Sequence, residues 1–266
     1  VGYKKNFPNC VFCKHGSYFL TLVGVGNKLI DGNKIQCPWH HCRRDTVLCV
    51  PAFSLKKIRE VAIMEYQFLI DTYETERMKT LSVWSMFKDE DLRVRPHPQD
   101  RRGRNALEHM VHQCMSENVW FRNMLDIDVG APPLPKQETR LEFIKRYAED
   151  SGNRLAALQK TDKAWWEKIV PFFDMKRSRA WIMTRRIAHS AHHRGQLTVM
   201  LRMLGREIYS TYGPSADTGG LMINNAPTIY PYPGIEALID GESGGGAKAS
   251  LPGPGDKPCT ERPDPV

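Results

Sequence analysis

The stretch RAWIMTRRIAHSAHHRGQLTVMLRMLG, residues 179–205, decides how the rest of the chain is read. It has the periodicity of one long helix from about Arg179 to Leu204, and Gly205 stands where a helix commonly ends in a left-handed residue. His189 and His193 are four apart, so their side chains share one face with Cβ atoms about 5–6 Å apart. That spacing can clasp one metal ion. Ile182, Gln196 and Met200 continue the same stripe, which directs the pair toward an apolar interior, while His192 points elsewhere. For an arbitrary pair at this spacing, two hydrogen-bonded core histidines are the commoner arrangement, so a third donor from another element has to be found.

Upstream, residues 53–87 are free of Gly and Pro and carry Ile58, Val61, Ala62, Tyr66, Leu69, Ile70 and Tyr73 at three- and four-residue steps, the pattern of an amphipathic helix. RVRPHPQD breaks it, because proline lacks an amide donor and restricts its predecessor. A second helix is expected over GRNALEHMVHQCMSENVWFRNMLDI. A third runs from about Gln137 through TRLEFIKRYAEDSGNRLAALQKTDKAWWEKI, with Ser151 and Gly152 as a weak point, and VPFFDMKRS separates it from the fourth. Four long helices with short connections predict an all-α protein, an antiparallel four-helix bundle. Three zones follow: an irregular, Cys-rich N-terminal extension over 1–52, the bundle over 53–220, and a Gly/Pro-rich extended tail over 221–266, expected to be mobile beyond about Gly241.

The second helix supplies the missing donor. His109 and His112 lie among Leu107, Met110, Val111, Met115 and Phe121, a core-facing set, and an imidazole in a core is costly unless hydrogen-bonded or metal-bound. Two helices bringing inward-facing imidazoles together make a three-nitrogen site with an open position, the arrangement of catalytic metal sites.

LEHMVHQCMSENVWF, together with RRIAHSAHHRGQLTVMLRMLG and the following YGPSADTGG, resembles the DinB family, named for DNA-damage-inducible proteins and including related thiol S-transferases. The resemblance covers roughly residues 53–220, and His-x3-His-Arg-Gly-Gln on the last bundle helix is its most specific motif. It implies a four-helix bundle holding a divalent cation such as zinc, nickel or iron through His112, His189 and His193. His112, followed by Glu117 and Trp120, matches the family's third histidine, and His109 is the alternative. The resemblance fixes no reaction. On this reading Gly195 allows close approach of a neighbouring helix and Gln196 orients a ligand or bound water; alternatively Gly195 is only packing, and Arg194 is a surface charge paired with Glu117 or another acid.

The front of the chain holds five of its seven cysteines. Cys13-x-His15 and Cys37-x2-His40 are similar to the cluster loops of a Rieske iron–sulfur domain, but the loops are far apart and the supporting sheet is mostly missing. A zinc site using Cys10, Cys13, Cys37 and either His40 or Cys42 is the alternative, and a leader that binds nothing is the third reading. An odd, unevenly spread set of cysteines fits a reducing cytoplasm better than a disulfide framework. No signal peptide is read at the start, although Val1 suggests a processed or truncated beginning, and no apolar run approaches the roughly 20 residues a membrane span needs.

The net charge of +8 lies in the front and middle, whereas the residues after 205 are net acidic. In LKKIREV and RRGRNALEH the basic residues alternate with acidic ones, the pattern of solvated helix faces, and nothing reads as a groove-entering helix or an aromatic stacking platform for nucleic acid. The first functional expectation is therefore a metal-dependent enzyme acting on a small molecule, by resemblance a thiol S-transferase, isomerase or hydrolase whose substrate includes a low-molecular-weight thiol. The second is a non-catalytic metal-binding stress-response protein. DNA binding ranks last. Glu108 and Glu117 neighbour the histidines in sequence, but no catalytic residue is assigned; a homodimer is compatible with the sequence.

Overall fold

A computed structural model describes residues 65–256. The Cys-rich front, with the proposed ligands Cys13, His15, Cys37 and His40, lies outside the described residues, as does the expected start of the first helix. The described residues are mostly helical with one small sheet. In order, the elements are α1 (Gln67–Met86), α2 (Ala106–Asn123), α3 (Arg140–Leu158), α4 (Lys163–Glu167), β1 (Ile169–Phe172), β2 (Met175–Ser178), α5 (Arg179–Met203) and α6 (Ile235–Ser243), with three 3-10 turns between them.

Local chemistry sets the boundaries. Asn105 opens α2 with a capping box: its Oδ1 accepts the Glu108 amide at 2.8 Å, and a Glu108 carboxylate oxygen accepts the Asn105 amide at 3.0 Å. Thr139 and Ser178 cap α3 and α5 through single side-chain bonds. At the end of α5, Gly205 adopts φ +66°, the Gly205 amide donates to the Arg202 carbonyl, and the Arg206 amide donates to the Leu201 carbonyl at 2.9 Å. That is a Schellman ending at the residue expected.

Each of α1 and α2 packs against both α3 and α5. Their apolar faces form two clusters. One is built around Leu81, Trp84, Met110, Phe143, Tyr147, Leu197 and Leu201. The other is built around Leu69, Tyr73, Trp120, Phe121, Leu158, Trp166, Phe172 and Ile182. No helix among the described residues is long and apolar enough to cross a membrane.

Three expectations are corrected. The third helix does not falter at Ser151–Gly152, where the Ser151 hydroxyl accepts from Arg77 Nε at 2.9 Å. It ends instead at Leu158, and Asp162 starts a separate short helix by accepting the Trp165 amide. The all-α expectation misses an antiparallel hairpin, in which Ile169 pairs with Ser178 and Phe172 with Met175. Val170 and Phe172 are buried on α5 while Ile169 faces outward, a two-residue alternation too short to stand out beside long helical periodicities.

The extended-tail expectation is corrected as far as Asp256. Leu238 on α6 is fully buried, and Tyr209, Tyr232 and Leu251 join the same core cluster. The Tyr232 hydroxyl donates to Glu242 at 2.6 Å, and Arg140 of α3 also pairs with Glu242. A side chain at Gly241 would overlap the Tyr232 ring, so this glycine serves packing. A few apolar anchors are enough to hold a segment whose average composition reads as unstructured.

Candidate metal centre

The stripe on α5 and the core face of α2 meet. His112, His189 and His193 each offer one ring nitrogen, and the three atoms lie within 4.8 Å of one another. The His189 and His193 Nε2 atoms are 2.9 Å apart. Tetrahedral ligands about 2.0–2.1 Å from a zinc ion stand roughly 3.3 Å apart, so small ring rotations would bring the three nitrogens around one ion. His112 Nε2 is buried without a hydrogen-bond partner, an orphaned donor-acceptor atom of the kind a metal would satisfy.

The imidazoles are held in the neutral form that a metal requires. Burial first, then the Arg186 charge, pushes His189 down to about 4. Burial, followed by its His189, His112 and His109 neighbours, pushes His193 down to about 3. His112 is lowered by burial and by Arg104 and Arg186. His193 is buried, whereas His112 and His189 are partly exposed, so solvent approaches on their side. His109, the alternative ligand, packs its ring 5.4 Å from His193 and is buried, with Nδ1 unpartnered, but falls outside the trio. His192 is exposed.

Neighbouring groups fix the ring orientations. Gln196 Oε1 lies 3.0 Å from His193 Nδ1, the bond that aims Nε2 at the other histidines. The Trp120 ring stacks on His189 with centroids 5.7 Å apart and touches Phe172 and Phe173 edge-on, closing one flank with aromatic surface. Arg186 reaches His189 Nδ1 at 3.3 Å from the same helix. Behind it Glu117 is fully buried and accepts from the Tyr73 hydroxyl at 2.6 Å, the Tyr147 hydroxyl at 2.9 Å and Arg154 at 3.3 Å, with Arg186 at 3.8 Å. Glu117 thus knits α1, α2, α3 and α5 together where the two apolar clusters meet.

The neighbours of the motif differ from expectation. Gly195 is exposed, and among the described residues nothing comes within 4 Å of where its Cβ would be, so none of their helices approaches there. Arg194 is not a surface charge: it is buried and paired with Glu76, with Thr80 and Tyr212 also in contact. Glu108 is spent on the α2 cap and Arg95. Sequence reasoning did not single out Arg186; its place three residues before His189, one helical turn away, was the available signal.

Residues 66–220 match the DinB family. Two solved structures are similar. A DinB-like protein from Bacillus cereus is 23% identical, covering 53% of this chain and 92% of its own, with a TM-score of 0.46. A DinB-like protein from Bacillus subtilis is 12% identical, covering 54% and 96%, with a TM-score of 0.43. No curated protein matches the chain. The family match spans more than half of the chain and contains all three clustered histidines, and the chain belongs to the DinB family.

Proposed function

We infer that His112, His189 and His193 ligate one divalent cation, zinc, nickel or iron, and that the chain is a metal-dependent enzyme acting on a small molecule, of thiol S-transferase, isomerase or hydrolase type. The observation that carries this reading is the convergence of three neutral imidazoles from two helices, two of them reachable from solvent. A cation held by three neutral ligands keeps its charge, and when bound it supplies Lewis acidity that lowers the pKa of a thiol or water at its free position. The protein's own groups supply orientation and access. Gln196 fixes the tautomer of His193, Trp120 shields one face of His189, and the half-exposed edges of His112 and His189 leave the approach. The four long helices are read as an antiparallel bundle that holds this site at its core.

A structural role for the ion is the competing reading. Two apolar clusters and the Glu117 network already tie the long helices together without it, which favours chemistry over scaffolding. Zinc, nickel and iron content, circular dichroism and thermal melting of the wild type and of His193→Ala test the choice, with transfer to a low-molecular-weight thiol followed in parallel. Loss of metal and thiol transfer with helicity retained supports the enzyme. Collapse of helicity together with metal loss favours the structural ion, and a wild type that takes up no divalent metal overturns both readings.

A further inference from the structure

The residue behind His189 is unusual for a metal ligand. The second ring nitrogen of a ligating histidine ordinarily donates to a carboxylate, a carbonyl or water. Here Nδ1 faces Arg186 Nη1 at 3.3 Å, and a guanidinium has only N–H groups to offer. His189 Nδ1 is therefore the lone-pair nitrogen, and the single proton of the neutral ring sits on Nε2. That proton points at His193 Nε2, 2.9 Å away, which is free to accept because the His193 proton is on Nδ1 for Gln196 Oε1. One proton order runs through the cluster, from Arg186 to His189 to His193 to Gln196.

Ligation by His189 reverses the first part of that order. A lone pair at Nε2 moves the ring proton to Nδ1, one proton leaving Nε2 and one arriving at Nδ1 by exchange with water, with no net change of ring charge. Nδ1–H would then confront an Arg186 N–H. Arg186 cannot easily withdraw: it is buried, its Nη1 donates to Ser116 Oγ at 3.0 Å, its Nη2 donates to Ser190 Oγ at 3.1 Å, and its plane lies over Trp120. His193, backed by an acceptor, meets no such opposition, and His112 Nε2 has no bond to give up.

We propose that Arg186 is a positioning residue that holds His189 in the tautomer unable to ligate, so that His112 and His193 form the firm half of the metal site and His189 joins only when the Arg186 contact breaks. This rests on the trio being a metal site. The gate makes His189 the weak ligand.

Two measurements test it. Long-range ¹H–¹⁵N NMR of the zinc-free wild type should show His189 protonated at Nε2 and His193 at Nδ1, with His189 switching to Nδ1–H when zinc is added. Zinc competition should show Arg186→Gln, which offers an amide oxygen to Nδ1–H, binding about tenfold more tightly than wild type, within the range seen for outer-shell partners. Arg186→Met, which removes the charge but offers no acceptor, should gain less. Nδ1–H at His189 in the zinc-free wild type, or no gain in a folded Arg186→Gln, overturns the gate. Equal gains in Arg186→Gln and Arg186→Met overturn it in favour of plain charge repulsion. A wild type that binds no zinc by competition and shows no zinc-induced NMR change overturns the metal-site reading itself, a separate failure.

Discussion

Replacing Glu117 by Gln keeps the shape of the side chain and removes its charge. Arg154 retains Asp150 at 3.9 Å, but Arg186 has no other carboxylate within salt-bridge reach among the described residues. At 3.8 Å, with an effective dielectric constant near 20, the lost attraction to Arg186 alone is about 4 kcal/mol. The glutamine oxygen can still accept from one tyrosine, and the other hydroxyl can rotate to accept from the amide NH2, so the hydrogen bonds of Tyr73 and Tyr147 are partly replaced. The expected loss is about 3–5 kcal/mol, the usual result of stranding one member of a buried ion pair. Urea denaturation should show it as a fall of more than about 1 M in midpoint at unchanged slope. Adding Arg186→Met to Glu117→Gln should restore part of the loss, because the stranded charge goes with it. A Glu117→Gln midpoint within about 0.3 M of wild type, or a double variant less stable than the single one, would refute the assignment of Glu117 as the counter-charge of Arg186.

Leu238→Ala should cost about 2–5 kcal/mol, since the side chain is fully buried, and hydrogen exchange should show protected amides within Ile235–Ser243; an unprotected segment would return it to the status of a loose tail. Burial acts to raise Asp91 and Glu242, but Arg206 and the Lys88 amide for the one, and Lys248, Tyr232 and Arg140 for the other, hold both below their ordinary values. Their stabilisation is therefore complete above the unfolded carboxylate pKa near 4 and is lost as pH falls through the lower folded values, so acid should loosen the segment after Gly205 below about pH 4, as limited proteolysis would reveal; equal cleavage at pH 3 and pH 6 would contradict it. Phe173 holds φ +51° at the tip of the hairpin, a conformation costly for an aromatic residue, and is largely exposed. Phe173→Asn should raise the melting temperature by an amount equivalent to about 0.5–1 kcal/mol, and a clear fall would mean that its packing on Phe172 and Trp120 outweighs the strain.

The long helices were legible because each carries many apolar positions in one period, and α5 also carries its own stop signal at Gly205. The hairpin was not, since four-residue strands give two turns of a pattern that Trp165, Trp166, Phe172 and Phe173 overwrite with general apolarity. Nor was the docking of α6, which depends on single anchors such as Leu238 and Tyr232 in a background of Gly and Pro. Of the candidate site, the three histidines could be picked out individually from helical spacing, but their convergence is a tertiary fact. Arg186 and Arg194 show the limit most clearly: both look like ordinary surface charges in a basic helix, and both are buried because Glu117 and Glu76, far away in sequence, are there to meet them.

The stacking of Trp120 on His189 gives the protein a built-in optical probe. An indole that close to the three histidines would lose emission when an ion with partly filled d orbitals, such as cobalt, settles among them, whereas zinc, with its closed d shell, would leave the intensity largely intact and shift only the wavelength. Trp120→Phe would remove the response of the indole stacked on His189 while sparing the glow of Trp84, which lies in the other apolar cluster. Occupancy could then be followed in real time, in dilute solution, without any label.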